Sequence, residues 1–291
     1  MPEGHTIHRL AAQHKDMFVG APVRATSPQG RFAAGAALID GRVLEGTDAH
    51  GKHLFHRYAD DVWLHVHLGL YGAFSHGSVP PPEPRGALRL RLVGETAYAD
   101  LRGPTACEVI ETPRRTELLA RLGPDPLRAD ADPAVAWRRI STSRAPMGAL
   151  LLNQAVLSGV GNVYRSELLF RAGIPPHRLG QELTAGEWDA MWADLCRLMR
   201  AGVRSGRIVT TRPEDRQRPG RAAAGDRFYV YRRVGEPCRR CGTPVRAELM
   251  AARTVSWCPT CQPPAPSRAP TRASTPPARA PTSAPPAPPF E

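Results

Sequence analysis

The chain is 291 residues long and 42% hydrophobic, with a formal charge of +12 from 39 Lys and Arg against 27 Asp and Glu; that supplies a core for one large or two modest domains and excludes a chain disordered throughout. So large a basic excess speaks of partners and not of fold: it points to a polyanion, most simply nucleic acid, although a ribosome-associated or membrane-surface protein fits the charge equally well. No apolar run reaches the ~18 residues of a membrane span and no signal pattern opens the chain, so a cytoplasmic protein is expected, in which six cysteines argue for metal or buried thiols before disulfides.

Met1-Pro2-Glu3 comes first. Proline at position two permits removal of the initiator methionine, which would leave a secondary amine bonded to a residue that carries a carboxylate. An α-amino group titrates near ~7.7 to 8.0, so part of it is a free nucleophile at neutral pH and can condense with an aldehyde-like carbon. Ile7, Leu10 and Ala11 recur at helical spacing, predicting an amphipathic helix over residues 2 to 14. From 23 to 110 the pattern alternates: Val62, Leu64 and Val66 interleave Trp63, His65 and His67, and Leu88, Leu90 and Leu92 interleave Arg89 and Arg91. That is strand periodicity broken by Gly and Pro, as in a sandwich or barrel, with the proline run at 80 to 84 as a loop. His65, His67, Cys107 and Cys196 read as strand or core residues. Lys52 stands apart, because it and Lys15 are the only lysines in an arginine-rich chain; where arginine does not substitute, a compact ammonium is needed. Lys15 falls near a helix end and reads as surface.

A linker over 112 to 132 leads into helices predicted at 133–141, 147–157, 163–172 and 185–201, with Asp132 and Pro146 at helix starts. Residues 212 to 226 are polar and rich in Arg, Gly and Pro, a mobile connection. A cysteine module follows to about 262, after which Pro, Ala, Ser, Thr and Arg dominate and a disordered tail is expected.

Two local signals are strong. Cys238-Arg239-Arg240-Cys241 and Cys258-Pro259-Thr260-Cys261 are paired Cys-x-x-Cys knuckles whose four thiolates can close tetrahedrally around one structural Zn²⁺. Arg232, Arg233, Arg239, Arg240, Arg246 and Arg253 make this module strongly cationic and suited to gripping phosphates. The second signal is Ser158-Gly159-Val160-Gly161-Asn162 between two apolar helices. Its glycines allow a turn too tight for a Cβ, with Asn162 capping the next helix and offering its amide outward. Such a turn is either a phosphate seat at a helix end or a plain helical hairpin.

Taken together, Pro2-Glu3-Gly4, Gly51-Lys52, Gly159-Val160-Gly161-Asn162 and the four cysteines resemble the formamidopyrimidine-DNA glycosylase and endonuclease VIII family, over residues 1 to 262. The flanks of the cysteines look closer to the endonuclease VIII branch. The resemblance implies an α+β multidomain chain: a catalytic β-sandwich with its leading helix (1–115), a helix-two-turn-helix domain (116–225) and a zinc finger (226–262); it leaves unexplained the tail (263–291), which composition alone marks as disordered. It implies a monomeric, nucleoid-associated base-excision repair enzyme that acts on damaged DNA, with Pro2 as nucleophile, Glu3 as acid/base and Lys52 on a phosphate. Asn162 and Arg253 match phosphate ligands, Glu167 matches a carboxylate that braces the N-terminus, and Leu70 and Tyr71 match the wedge that fills the place of a flipped nucleotide. Ala155 stands where the purine-specific branch has lysine, and Arg102-Gly103-Pro104 where it has an arginine-phenylalanine pair, so oxidised pyrimidines are favoured. Gly69 replaces a larger polar residue at the wedge, which leaves opposite-base contacts open. The competing reading is a zinc-finger DNA-binding protein of the same fold without chemistry.

Overall fold

Helix α1 (Gly4–Phe18) forms because Ile7, Leu10, Ala11, His14 and Phe18 share one face, and that face is buried against the strands that follow. The computed structural model describes residues 2–216, 220 and 222–264; Met1 and the expected tail from 265 onward lie outside them. Eight antiparallel strands come next: β1 (Pro22–Thr26), β2 (Arg42–His50), β3 (His53–Tyr58), β4 (Val62–His67), β5 (Ala73–Ser78), β6 (Leu88–Val93), β7 (Ala97–Arg102) and β8 (Ala106–Ile110). Their order is β5-β7-β6-β1-β2-β3-β4-β8. β1 is shared between layers: Pro22 and Val23 pair with β2, whereas Arg24 to Thr26 pair with β6. The strands therefore make a sandwich, closed on Leu44, Leu54, Leu64, Val66, Leu90, Leu92 and Leu101. A short helix, α2 (Ala33–Ile39), escapes sequence reading because its seven residues carry almost no polar face.

The second half is helical: α3 (Thr112–Ala120), α4 (Pro133–Ser141), α5 (Met147–Leu150), α6 (Asn162–Ala172) and α7 (Ala185–Ser205). Asp132 caps α4 by accepting from Ala134 N at 2.8 Å, and Thr184 with Glu187 boxes the start of α7. The helix expected over 147–157 stops at Leu150. Beyond it the side chains of Asn153 and Gln154 bind the N–H groups of Ala155 and Gly159, diverting the backbone into turns. Helix α6 is buried on every side from Asn162 to Phe170, so it is an axle and not an amphipathic surface helix. In the polar stretch 212–226, Pro213–Asp215 and Ala224–Asp226 form short 3₁₀ turns, and residues 217–219 and 221 lie outside the described ones. A hairpin, β9 (Arg246–Met250) and β10 (Arg253–Trp257), packs along α6.

Candidate active site and nucleic-acid interface

Helix α6 begins without a side-chain cap of its own, because its N-cap is Gly161. The cap comes from the far end of the sequence. Glu3, wholly buried, accepts from Gly161 N at 2.9 Å, Val163 N at 2.8 Å and Tyr164 N at 3.3 Å, so a carboxylate answers the positive end of the helix. A Cβ on Gly161 would stand 2.5 Å from Glu3 Cδ, so only glycine lets the carboxylate in. The expected cap by Asn162 is corrected. Asn162 is the first helical residue; its amide donates to Thr254 O at 2.8 Å, and its oxygen accepts from Arg165. Burial pushes the Glu3 carboxyl up from its ordinary range, against the opposing pull of Lys52 and the three N–H groups.

Three backbones meet beside this cap. Gly4 N donates to Gly159 O at 2.8 Å. A Cβ on Gly4 would lie 2.9 Å from Gly159 Cα, and one on Gly51 3.0 Å from Gly159 N. Gly51 and Gly159 also adopt the left-handed φ values of +58° and +84°. The β2–β3 turn thereby delivers Lys52, whose Nζ donates to Val160 O at 2.7 Å. Gln154 Nε2 donates to the same oxygen at 2.9 Å. Burial depresses the Lys52 ammonium, with Arg253 adding to the effect and Glu3 opposing it. Pro2 is half-buried and leads straight into this junction.

The turn has a further support that sequence reading missed. Asp125, in the linker between the halves, accepts from Gly51 N at 2.7 Å and from Leu127 N at 2.9 Å, and its Oδ2 lies 2.7 Å from His8 Nε2. The stretch Gly-Pro-Asp-Pro reads as a turn, and nothing local marks its carboxylate as a tie between α1 and the lysine hairpin.

On the other side of α6, Asn162 and Arg253 line an open cleft of about 470 Å³ together with Tyr231, Arg232, Leu249 and Ser256. The hairpin that carries Arg253 is held by Arg165. This fully buried guanidinium donates to Met250 O at 3.1 Å, Arg253 O at 3.2 Å and Gly148 O at 3.2 Å. Burial, with Arg253 nearby, lowers its pKa to about 10. The hairpin turn, Ala251-Ala252, has φ of +52° and +58°, a mirror-type two-residue turn made without glycine or asparagine. Glu167 departs from expectation. It does not brace the N-terminus; it is fully buried and accepts from the N–H groups of Tyr229, Val230 and Tyr231, each at 2.8 Å, and from the Thr210 hydroxyl. Glu3 holds the start of α6, and Glu167, farther along the same helix, holds the turn entering the cysteine module.

The loop after β4 projects Leu70, 44% exposed, and Tyr71, 88% exposed. Gly69 is required there, since its φ is +68° and a Cβ would fall 1.8 Å from Thr105 Oγ1. Apolar side chains held out on so tight a loop suit insertion between stacked bases. In the cysteine module all four Sγ atoms lie within 4.8 Å of one another, with Cys241 to Cys258 at 3.4 Å and Cys238 to Cys261 at 3.8 Å. Four sulfurs each ~2.3 Å from a tetrahedral Zn²⁺ stand about 3.8 Å apart, so the donor set fits the ion. Among the described residues no helix is long and apolar enough to cross a membrane.

Comparison with known proteins agrees with this geometry along the chain. The formamidopyrimidine-DNA glycosylase N-terminal domain model matches residues 1–107, its H2TH domain 122–213, and the zinc finger found in FPG and IleRS 235–264. Endonuclease 8 1 of Mycobacterium tuberculosis is 54% identical over 267 residues, covering 90% of this chain and all of that protein. Formamidopyrimidine-DNA glycosylase of Thermus thermophilus is 36% identical over 239 residues, 79% of this chain and 86% of the relative. Among solved structures, MutM in complex with DNA containing carbocyclic 8-oxo-G superposes with a TM-score of 0.75 at 20% identity, covering 90% of this chain and 100% of that one. The Lactococcus lactis Fpg complex with DNA containing an abasic site gives 0.73 at the same identity, covering 90% and 99%. From a buried Glu3 at the head of α6 to the four-cysteine finger, this chain belongs to the formamidopyrimidine-DNA glycosylase and endonuclease VIII family, on its endonuclease VIII side.

Proposed function

We propose that this DNA glycosylase and abasic-site lyase of base-excision repair works through the secondary amine of Pro2 on oxidised bases in DNA, pyrimidines before purines. The observation that carries the reading is the placement of Glu3, one residue after Pro2, in the helix cap beside Lys52. The Pro2 nitrogen attacks C1′ and gives up its own proton as the glycosidic bond breaks, and the base leaves with the bonding pair and a proton; the C1′–O4′ bond then opens, O4′ taking that pair and a proton, to leave a C1′=N iminium. The resulting iminium accepts electrons when a C2′ proton is removed, so the 3′ phosphate and then the 5′ phosphate depart by β- and δ-elimination. Glu3, its carboxyl raised by burial, is suited to carry protons at the opening sugar. Lys52, Asn162 and Arg253 hold phosphates around the lesion, and Leu70 and Tyr71 occupy the place of the flipped nucleotide.

Residues 1–115 carry the chemistry, 116–225 the helix-two-turn-helix, and 226–262 the finger, in which Cys238, Cys241, Cys258 and Cys261 hold one structural zinc. That ion supplies cross-linking and no chemistry, since four thiolates leave it no open position. Ala155 in place of a purine-specific lysine supports the pyrimidine preference. The protein acts as a monomer on cytoplasmic, nucleoid DNA.

Borohydride reduction with abasic DNA tests the reading: a covalent protein–DNA adduct is expected, and one extra residue ahead of Pro2 should abolish it while DNA binding persists. Tight binding without any adduct from the native N-terminus would leave only the non-catalytic DNA-binding protein.

A further inference from the structure

His53 on β3, His65 on β4 and Glu108 on β8 form a hydrogen-bonded row across three adjacent strands. His65 Nδ1 lies 2.8 Å from Glu108 Oε1, and His65 Nε2 lies 2.9 Å from His53 Nδ1. The two rings stack with centroids 5.1 Å apart. Antiparallel register builds the row, with His65 opposite Glu108 on one side and His53 opposite His67 on the other.

The carboxylate fixes the protons. A carboxylate only accepts, so His65 Nδ1 carries hydrogen; the Nε2 of a neutral His65 is then a lone pair, and His53 Nδ1 must be the donor to it. His53 Nε2 is left as a bare acceptor with no hydrogen-bond partner among the described residues. Two tautomers follow from one acid, as in the carboxylate–histidine pairs that orient metal ligands.

This bare nitrogen belongs to the residue after Lys52. The charged and titratable groups that face His53 are His50 at the end of β2, Lys52 from the β2–β3 turn, and His65 and His67 from β4, with Glu108 of β8 and Arg114 of α3 acting through His65. Burial, reinforced by these mostly basic neighbours, pushes His53 down to about 3. His67, its ring 5.0 Å from that of His53, opens the loop that projects Leu70 and Tyr71. An anion arriving at Lys52 would reverse the local field, while Glu108 stabilises a positive charge on His53 through two hydrogen bonds.

We propose that His53 takes up a proton when a DNA phosphate is placed at Lys52, so that Glu108, His65 and His53 form a proton-linked phosphate site. The inference rests on the proposed role of Lys52 in holding DNA. A site of this kind binds more tightly as pH falls, because the complex holds a proton that the free protein lacks.

The test uses the zinc-loaded full chain and a duplex carrying a tetrahydrofuran abasic analogue, titrated by fluorescence anisotropy at constant ionic strength between pH 6 and 8.5. Wild-type affinity should fall as pH rises, approaching about tenfold per unit where one proton is linked. His53→Gln should flatten that slope, and Glu108→Gln, at a half-exposed position, should move the fall to lower pH without unfolding the sandwich. Calorimetry in two buffers of different ionisation enthalpy should count fewer protons taken up by His53→Gln than by wild type. Slopes unchanged in both variants, or no proton uptake by wild type, would overturn the proposal. Borohydride trapping run alongside separates the two readings: an adduct without proton uptake removes the relay alone, whereas proton uptake without an adduct supports the relay and removes the lyase chemistry.

Discussion

The two halves of the molecule bury polar groups by different means. In the sandwich, beside the buried ion pair of Arg91 with Asp100, there is a row of imidazoles: His14 Nδ1 lies 2.9 Å from His56 Nε2, and His14 Nε2 lies 2.9 Å from His76 Nε2. Each nitrogen-to-nitrogen contact accommodates one proton, so the row works while its rings are neutral. Burial lowers all three, His56 to about 4. Around α6 the buried groups are Glu3, Arg165 and Glu167, and main-chain groups answer almost every one of their polar atoms. The difference teaches where each half is vulnerable. The sandwich is exposed to acid, and the helical half to any substitution that removes a charged group while its backbone partners stay buried.

The largest effect is expected at Glu3, which belongs to both halves. Glu3→Gln should slow strand cleavage by roughly 10² to 10⁴, the ordinary range for a general acid/base, with abasic-DNA affinity within a few-fold of wild type; normal cleavage kinetics would reduce the residue to a helix cap. Next in size is Glu167→Ala, which strands three N–H groups and the Thr210 hydroxyl. It should lower the unfolding free energy by about 3–5 kcal/mol in urea, and an unshifted midpoint would contradict the anchoring role.

Acid tests the other half. The folded value of His56, about 4, lies below its unfolded value near 6.5. Its stabilisation is therefore complete above the unfolded value and is lost as pH falls through the folded one, at most ~3 kcal/mol by linkage. The buried carboxyls of Glu3 and Glu167 have raised values, so their contribution runs the other way, present in acid and lost as pH rises. Comparing urea midpoints of wild type and His56→Gln at pH 7 and 4.5 separates the two, and the variant should show the smaller acid loss. Equal losses would take the imidazole row out of the account. Smallest of all, Ala251→Gly should relieve a left-handed alanine and stabilise the finger hairpin by about 0.5–1 kcal/mol; a lower urea midpoint would show that the turn is unstrained.

Much of this was legible beforehand where chemistry is local. The strands β4 and β6, the cap at Asp132, the paired knuckles and the tight turn at Gly159 each depend on neighbours in sequence, and each appears in the structure, although His65 and Arg91 are buried along with the apolar residues that flank them. What stayed hidden depends on partners far along the chain. Glu167 meets residues about 60 positions later, Asp125 meets Gly51 and His8 across the linker, and His53, His65 and Glu108 align only once three strands take their register. Asn162 shows the same limit: its type and position suggested a cap, but a carboxylate from residue 3 already held that place.

The meeting of Gly4, Gly51 and Gly159 ties the amino terminus, the lysine turn and the approach to α6 together at main-chain distance, with Gly4 N donating to Gly159 O at 2.8 Å. Side chains close the junction from outside: Met199 would touch a Cβ on Gly4, and Ser158 one on Gly51. The halves are joined along a seam and not at one point, since α1 also packs on α7 and Arg9 donates to Val203 O and Arg204 O, each at 3.0 Å. A single methyl group at Gly4 or Gly51 would therefore press apart the amine, the lysine and the head of α6 in one stroke.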